Sequence, residues 1–169
     1  MKKQYLVLSV IGVLLIFVAS ALTHPHFNKT ITVKLPSGAE AVIVYNTTPS
    51  NETHVTGAAV GAFLNPRSPR LKLSAEIKAG DVTIPAGDYI IGAIKNGDND
   101  FTMALYPGSI PRGQTPDMSK MIKLESMYSG SAGEAPHMLI DISPGSGKFE
   151  GKAVLTLHFG KLFLAGALS

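Results

Sequence analysis

The sequence predicts an antiparallel β-sandwich of about eight or nine short strands that follows an N-terminal signal peptide. Glycine (17) and proline (11) together account for 28 of the 169 residues, against roughly 12% in an average protein, and this excess indicates many turns. Between the turns, short segments alternate apolar and polar residues, which is typical of strands with one buried and one solvated face. Closely spaced strands without a convincing helix imply a sandwich or a barrel, and we prefer the sandwich.

The N-terminus has the three parts of a signal peptide. Met1-Lys2-Lys3 is positively charged, and Tyr5 to Val18 is almost uninterrupted apolar sequence. Ala19-Ser20-Ala21 then carries small residues at the two positions that signal peptidase reads. We therefore expect cleavage after Ala21.

Cleavage at this point divides the chain into a signal peptide (1–21), an N-terminal tail (22–28) and a single β-sandwich domain (29–169). The alternative is an uncleaved membrane anchor over residues 5–22, because a segment of this length is at the lower limit for a bilayer span.

The mature chain is nearly neutral and has no cysteine. Removing Lys2 and Lys3 with the leader lowers Lys+Arg from 15 to 13, against 12 acidic residues. The remaining basic residues are dispersed, so the chain lacks the basic stripe of a nucleic-acid-binding protein. An exported chain without cysteine forms no disulfides, which suits the bacterial envelope. The sequence thus predicts a periplasmic or secreted protein, attached to a membrane only if the leader is not cleaved.

The first hairpin is predicted at the start of the domain. Thr30 to Leu35 and Ala39 to Tyr45 alternate apolar and polar residues on either side of the tight-loop sequence Pro36-Ser37-Gly38. Aligning the two strands across that loop sets Val33 against Ala41, so the apolar sides match.

The segment that follows gives a weaker pattern. His54 to Leu64 is apolar but interrupted by glycine, and its sequence fits either an edge strand or a short helix. Asn65 to Arg70 contains two prolines and is interpreted as a rigid connector. Leu71 to Ile77 alternates again and is predicted as one strand.

The second hairpin lies at the centre of the domain. Tyr89 to Lys95 and Phe101 to Tyr106 are apolar strand segments that flank the polar turn Asn96 to Asp100. Pairing the two residues beside the turn matches the apolar sides of the strands. Gly87, in the preceding turn, is expected at positive φ.

The C-terminal part supplies the remaining strands. Lys120 to Tyr128 alternates and is predicted as one strand. His137 to Ser143 and Lys152 to Phe159 are predicted to form a third hairpin, with Ser143 opposite Lys152. Leu162 to Ala165 is a last short strand.

Ile77 to Ile91 reads IKAGDVTIPAGDYII, and Ala153 to Gly160 reads AVLTLHFG. These segments resemble the Pro-Ala-Gly-x-Tyr hairpin and the closing strand of a bacterial family of domains of unknown function, number 2911. Phe159 stands where that family usually has tryptophan, and residues 57–64 replace a segment rich in Trp, Arg and Asn. The resemblance implies this fold and export. It transfers no functional residue, because the family has no established activity.

The sequence lacks a nucleophile elbow, a phosphate-binding loop and paired metal-protease histidines. Together with the leader and the strand pattern, this predicts an exported, non-catalytic domain of the bacterial cell envelope with a binding or structural role. We expect its partner to be an envelope protein or a small ligand, and we expect no cofactor.

The alternative function is periplasmic copper or zinc binding, since imidazole and thioether groups suit these metals. The predicted third hairpin places His137 opposite His158, at a distance that allows two imidazoles to share a metal. Asp141 lies on the same face of the hairpin and would be the third ligand. We favour a pair of solvent-facing histidines without metal. Met103 and Met138 fall on apolar faces, where methionine usually fills the core.

Overall fold

A computed structural model describes residues 26–169, which form thirteen strands and one short α-helix. The predicted signal peptide (1–21), the alternative anchor (5–22) and the first four residues of the predicted tail lie outside the described residues. Within 26–169, no helix is long and apolar enough to cross a membrane.

The strands belong to two main antiparallel sheets and a small ribbon. The larger sheet contains β1 (Asn28–Lys34), β2 (Glu40–Asn46), β3 (Phe63–Leu64), β4 (Arg70–Leu73), β7 (Gly87–Gly97), β8 (Asp100–Pro107) and β9 (Ile122–Lys123). The ribbon pairs β5 (Ile77–Ala79) with β6 (Val82–Ile84). The smaller sheet contains β10 (Ser126–Ser129), β11 (Ala135–Pro144), β12 (Ala153–Gly160) and β13 (Leu162–Ala167). The remaining elements are helix α1 (Glu52–Thr56) and two 3-10 turns, Met118–Lys120 and Gly147–Phe149.

The order of the strands places β1 and β11 at sheet edges. The larger sheet has the order β1-β2-β4-β7-β8-β9, with β3 paired beside β4 on β7, and the smaller sheet has the order β10-β13-β12-β11. The predicted all-β, sandwich-like class is confirmed. There are more strands than the eight or nine predicted because β3, β5, β6 and β9 have only two or three residues each.

Apolar side chains of both sheets meet in one core. The alternation of each strand turns its apolar residues toward the opposite sheet. Fully buried members include Ile43, Leu71, Ile91 and Leu105 from the larger sheet and Met138, Ile140, Leu155 and Leu164 from the smaller one. A second, smaller cluster lies on the outer face of the smaller sheet, where Phe149 covers Val154, Ala165 and Ala167.

The two N-terminal hairpins have the predicted registers. Val33 pairs with Ala41 in the first, and Lys95 pairs with Phe101 in the second. Gly87 has a φ of 150°, so the positive φ expected for its turn is confirmed. These registers were predictable because each follows from a short turn and from apolar residues that match across it.

The segment that fitted either a strand or a helix contains both. The Asn51 side chain caps α1 by accepting a hydrogen bond from Thr53 N at 3.0 Å, and β3 then pairs with β7. The ammonium of Lys95, which is only 3% exposed, donates to Thr56 O at 2.8 Å and to Ala58 O at 3.1 Å. Lys95 therefore anchors the end of α1 to the larger sheet.

Two predicted strands are wrong in their extent. Residues 71–77 do not form one strand. At Ser74 the side-chain hydroxyl, instead of the backbone carbonyl, accepts from Glu40 N at 2.8 Å, while Ser74 N still donates to Glu40 O at 2.9 Å, and the next strand begins only at Ile77. Residues 120–128 also divide, with β9 in the larger sheet and β10 in the smaller one. At the start of β10, the Ser126 hydroxyl donates to Leu124 O at 2.7 Å and accepts from Met103 N at 2.8 Å, which stabilises the bend between the two strands.

The third hairpin forms, but its predicted register is wrong by two residues. Gly145, not Ser143, stands opposite Lys152, with Gly145 N donating to Lys152 O at 2.8 Å. A shift of two residues keeps every side chain on its face, so alternation alone did not distinguish the two registers. The 3-10 turn at Gly147–Phe149 decides between them, because it shortens the loop and buries Phe149 against the sheet.

Gly92 allows β3 to lie close to β7, and its replacement tests this packing. A Cβ at this position would come within 2.5 Å of Leu64 O and of the Phe63 ring. We expect Gly92→Ala to lower the free energy of unfolding by about 2 kcal/mol, because overpacking a well-packed site is destabilising. Urea denaturation measures this change. Gly97→Ala is the control, since its Cβ would meet only the Asp100 Cβ, at 3.8 Å. An unchanged stability of the Gly92 variant would contradict the close contact.

Candidate functional site

The two sheets are joined along one flank by continuous backbone hydrogen bonding. The chain passes from β9 to β10 and so moves from the larger sheet to the smaller one. Leu124 N donates to Met103 O at 2.9 Å, and Ala167 N donates to Glu125 O at 2.9 Å. Neighbouring residues thus bond to different sheets, and this flank is closed.

The opposite flank is closed only at one end, which we call the corner. Beyond β2, Met138 N donates to Thr48 O at 2.8 Å and Ser50 N donates to Pro136 O at 2.9 Å. The Ser50 hydroxyl also donates to Ala135 O at 2.7 Å and accepts from Gly160 N at 2.8 Å. Past the corner, the terminal strands β1 and β11 do not pair with each other. We call the gap between these two strands the open flank.

Three clefts lie along the open flank. The corner cleft, the middle cleft and the end cleft measure about 240, 640 and 540 Å³. The corner cleft is lined by Phe27, Lys29, Thr47 and His137. The middle cleft includes Lys29, Ile31, Leu139, Asp141, His158 and Phe163. The end cleft includes Val33, Leu35, Pro36, Ile142, Pro144 and Ala153. The lining surface of all three clefts is mainly apolar, with charged side chains beside each.

Half of the backbone hydrogen-bonding groups of β1 face the open flank. Thr47 N donates to Phe27 O and Leu35 N donates to Ala39 O, both at 2.8 Å. Odd-numbered residues between them therefore bond to β2, because bonded and non-bonded pairs alternate in antiparallel sheets. The N–H and C=O groups of the even-numbered residues, Asn28, Thr30, Thr32 and Lys34, point toward the open flank. No strand in the described part of the chain pairs with them.

The edge of β11 offers far fewer donors. The bond from Gly145 to Lys152 assigns the odd-numbered residues of β11 to β12, so even-numbered residues face the open flank. The carboxylate of Asp141 accepts a hydrogen bond from Ile142 N at 2.8 Å, and Pro144 has no N–H. Met138 N is already bonded at the corner. Ile140 N is the remaining donor on this edge.

The charged side chains along the open flank are of both signs, with Lys29, Lys34 and Lys152 on one side of the balance and Asp141 and Glu150 on the other. Lys29 and Lys34 form no ion pair with any residue of 26–169. Lys152 beside the end cleft is paired with Glu125 at 2.7 Å, and hydrogen bonds from Lys152 and Lys148 hold the pKa of Glu125 below its ordinary value. Of the nearby acids, Asp141 is engaged with the backbone, and Glu150 lines the end cleft.

The predicted metal ligands are divided between two clefts. His158 stands opposite Leu139 rather than His137, so the predicted pairing of the two histidines is wrong. The His158 ring packs edge-on against the Phe163 ring, with 5.3 Å between the ring centroids, and His158 Nε2 lies 3.4 Å from Gly133 O. His137 forms a β-bridge with Pro49 at the corner. Asp141 shares the middle cleft with His158, two residues away in register.

The predicted metal ligands have a lysine among their neighbours. Within residues 26–169, no three His, Asp or Glu side chains are grouped so that they could hold a metal ion. Lys29 lines both the corner cleft and the middle cleft, and its ammonium disfavours a second cation there. Met103 and Met138 have no exposed surface, which confirms that they fill the core.

Sequence reasoning identified His137, Asp141 and His158, which line the clefts on the β11 side of the open flank. It missed β1 on the other side, which was predicted only as one strand of a hairpin. A signal was present, since a regular strand with lysine near each end is typical of a sheet edge. The edge assignment also required the order of the strands, which alternation does not reveal.

Comparisons of the chain with family models, with curated proteins and with solved structures find no match. The resemblance to the family of domains of unknown function number 2911 stays a prediction that rests on residues 77–91 and 153–160.

Metal titration tests whether the two histidines share a site. We expect the imidazole signals of His137 and His158 not to shift together when zinc or copper is added at micromolar concentration, because the observed register separates them. The measurement is NMR of the histidine rings, with exposed His26 as the control for incidental binding. Joint, saturable shifts that disappear in His158→Asn would establish the metal site.

Proposed function

We propose that this chain is an exported, non-catalytic binding domain of the bacterial cell envelope and that it holds a segment of a partner protein along the open flank. The signal-peptide sequence supports export, and the absence of recognisable catalytic motifs supports a binding role. The observation that carries the proposal is the end cleft, a concave and largely apolar surface of about 540 Å³ beside unpaired backbone groups. Such surfaces are typical of recognition sites.

The composition of the open flank favours a protein segment over a small ligand. Three clefts follow one another along β1 instead of enclosing a single compound. Partly buried Ile31 and Val33 lie at the margin of the core, so a partner can bury apolar surface without opening the fold. Most of the stabilisation would come from this burial, at roughly 25 cal/mol per Å² of apolar surface.

Export is tested by the mass of the protein recovered from a bacterial host. Expression of the full chain is expected to yield a periplasmic or secreted product that begins at Leu22, because signal peptidase requires the small residues of Ala19-Ser20-Ala21. Ala21→Phe should block this processing. Recovery of the intact chain in the membrane fraction would instead support the anchor over residues 5–22, and recovery in the cytosol would contradict export.

Binding along the open flank is tested with a displayed library of random linear peptides. Peptides selected on the mature protein are expected to lose at least roughly tenfold in affinity, about 1.4 kcal/mol, when Val33→Arg fills the end cleft. Val44→Arg is the matched control, because Val44 is 44% exposed on the neighbouring strand and lines none of the three clefts. Both variants must keep the wild-type melting temperature. Selected peptides that bind Val33→Arg as well as the wild type would contradict the proposed surface.

A further inference from the structure

We propose that the partner segment enters the open flank as an additional β-strand, paired with β1 and antiparallel to both β1 and β11. This inference rests on the proposed binding function and specifies the kind of partner: an extended peptide with alternating apolar residues and with acidic residues toward its ends.

The directions of the edge strands permit one more antiparallel strand between them. β1 is antiparallel to β2, and the continuation of β2 through Pro49 is antiparallel to β11 at the corner. β1 and β11 therefore run in the same direction on the two sides of the flank. A single strand of opposite direction between them extends the antiparallel pattern of both sheets, whereas direct pairing of β1 with β11 would be parallel.

The unpaired backbone groups assign the new strand to β1. Four residues of β1 present N–H and C=O groups to the flank, and the register of β1 runs without a bulge from Asn28 to Lys34. β11 has a register shift between Ala135 and Leu139, and Asp141 already satisfies Ile142 N. Edge strands are normally protected by bulges, prolines and engaged donors. β11 has all three protections, and β1 has only its lysines.

The side chains around the flank define the chemistry of the added strand. Residues of the strand that face inward would contact Ile31, Val33 and Ile142, so these positions should be apolar. Lys29 and Lys34 lie near opposite ends of β1 without acidic partners among the described residues. Acidic residues near both ends of the segment would pair with them. Backbone bonds would supply affinity and the alternate side chains specificity, as in other cases of strand addition.

Amide hydrogen exchange of β1 gives the sharpest test, with a peptide selected from the linear library as the probe. On binding, exchange is expected to slow at Thr30 and Thr32, whose N–H groups face the flank, and to remain unchanged at Ile31 and Val33, which already bond to β2. Ile142 should show no gain, because Asp141 holds its N–H. Uniform slowing along β1, or none, would overturn strand addition.

Two changes in the same system test the backbone pairing and the charge. N-methylation of the peptide, one amide at a time, should weaken binding at least roughly tenfold at every second position only. Lys29→Glu together with Lys34→Glu should weaken peptides with acidic ends and not peptides in which those residues are neutral. Insensitivity to N-methylation at all positions would overturn the inference. An unchanged affinity of the double variant for acidic peptides would overturn the proposed charge preference.

The outcomes separate this inference from the proposed function. Peptides that depend on Val33 but lack the alternating pattern would leave the binding surface in place and overturn the added strand. Peptides that show the alternating pattern in their own N-methylation but bind independently of Val33 would overturn both the surface and the strand at β1.

Discussion

The hydrogen bonds of residues 48–50 to β11 hold the two sheets together at the corner and determine the shape of the flank beyond it. These residues continue β2 beyond the start of β1, so they pair with β11 and β1 does not. β1 therefore remains at the edge of the larger sheet. Ser50 connects both neighbouring strands through its single hydroxyl, which bonds to Ala135 and to Gly160. The closed flank shows the alternative arrangement, in which the chain itself passes from one sheet to the other at Leu124 and Glu125.

The sequence was informative where structure depends on neighbours along the chain. The hairpins at Pro36-Ser37-Gly38 and at Asn96 to Asp100 have the predicted registers, because a short turn and matching apolar residues fix them. The third hairpin shows the limit of this reasoning. Its two candidate registers bury the same residues, and the difference lies in how Phe149 packs against the outer face of the smaller sheet.

The candidate site was harder to predict because it is formed by strands that are distant in sequence. Asp141 and His158 were identified as exposed polar residues of one hairpin, but their roles depend on surroundings that a hairpin does not define. Asp141 bonds to the neighbouring Ile142 N, and the ring of His158 packs on Phe163. Buried Lys95 is a similar case. The sequence predicted only the end of a strand at this position, whereas the Lys95 ammonium donates to the last carbonyl of α1 and to Ala58 O just beyond the helix. Strand order, which decided all of these environments, is a property of the whole chain.

The corner also bears on how the chain folds. Its hydroxyl bonds join residues 85 and 110 positions apart, whereas the hairpins connect close neighbours. Contacts between distant residues require the closure of long loops, and proteins dominated by them fold slowly. The hairpins should therefore form before the corner does. During that interval the outer edge of β11 at residues 136–138 is exposed as well as that of β1, and the chain is then most exposed to strand pairing with other copies of itself.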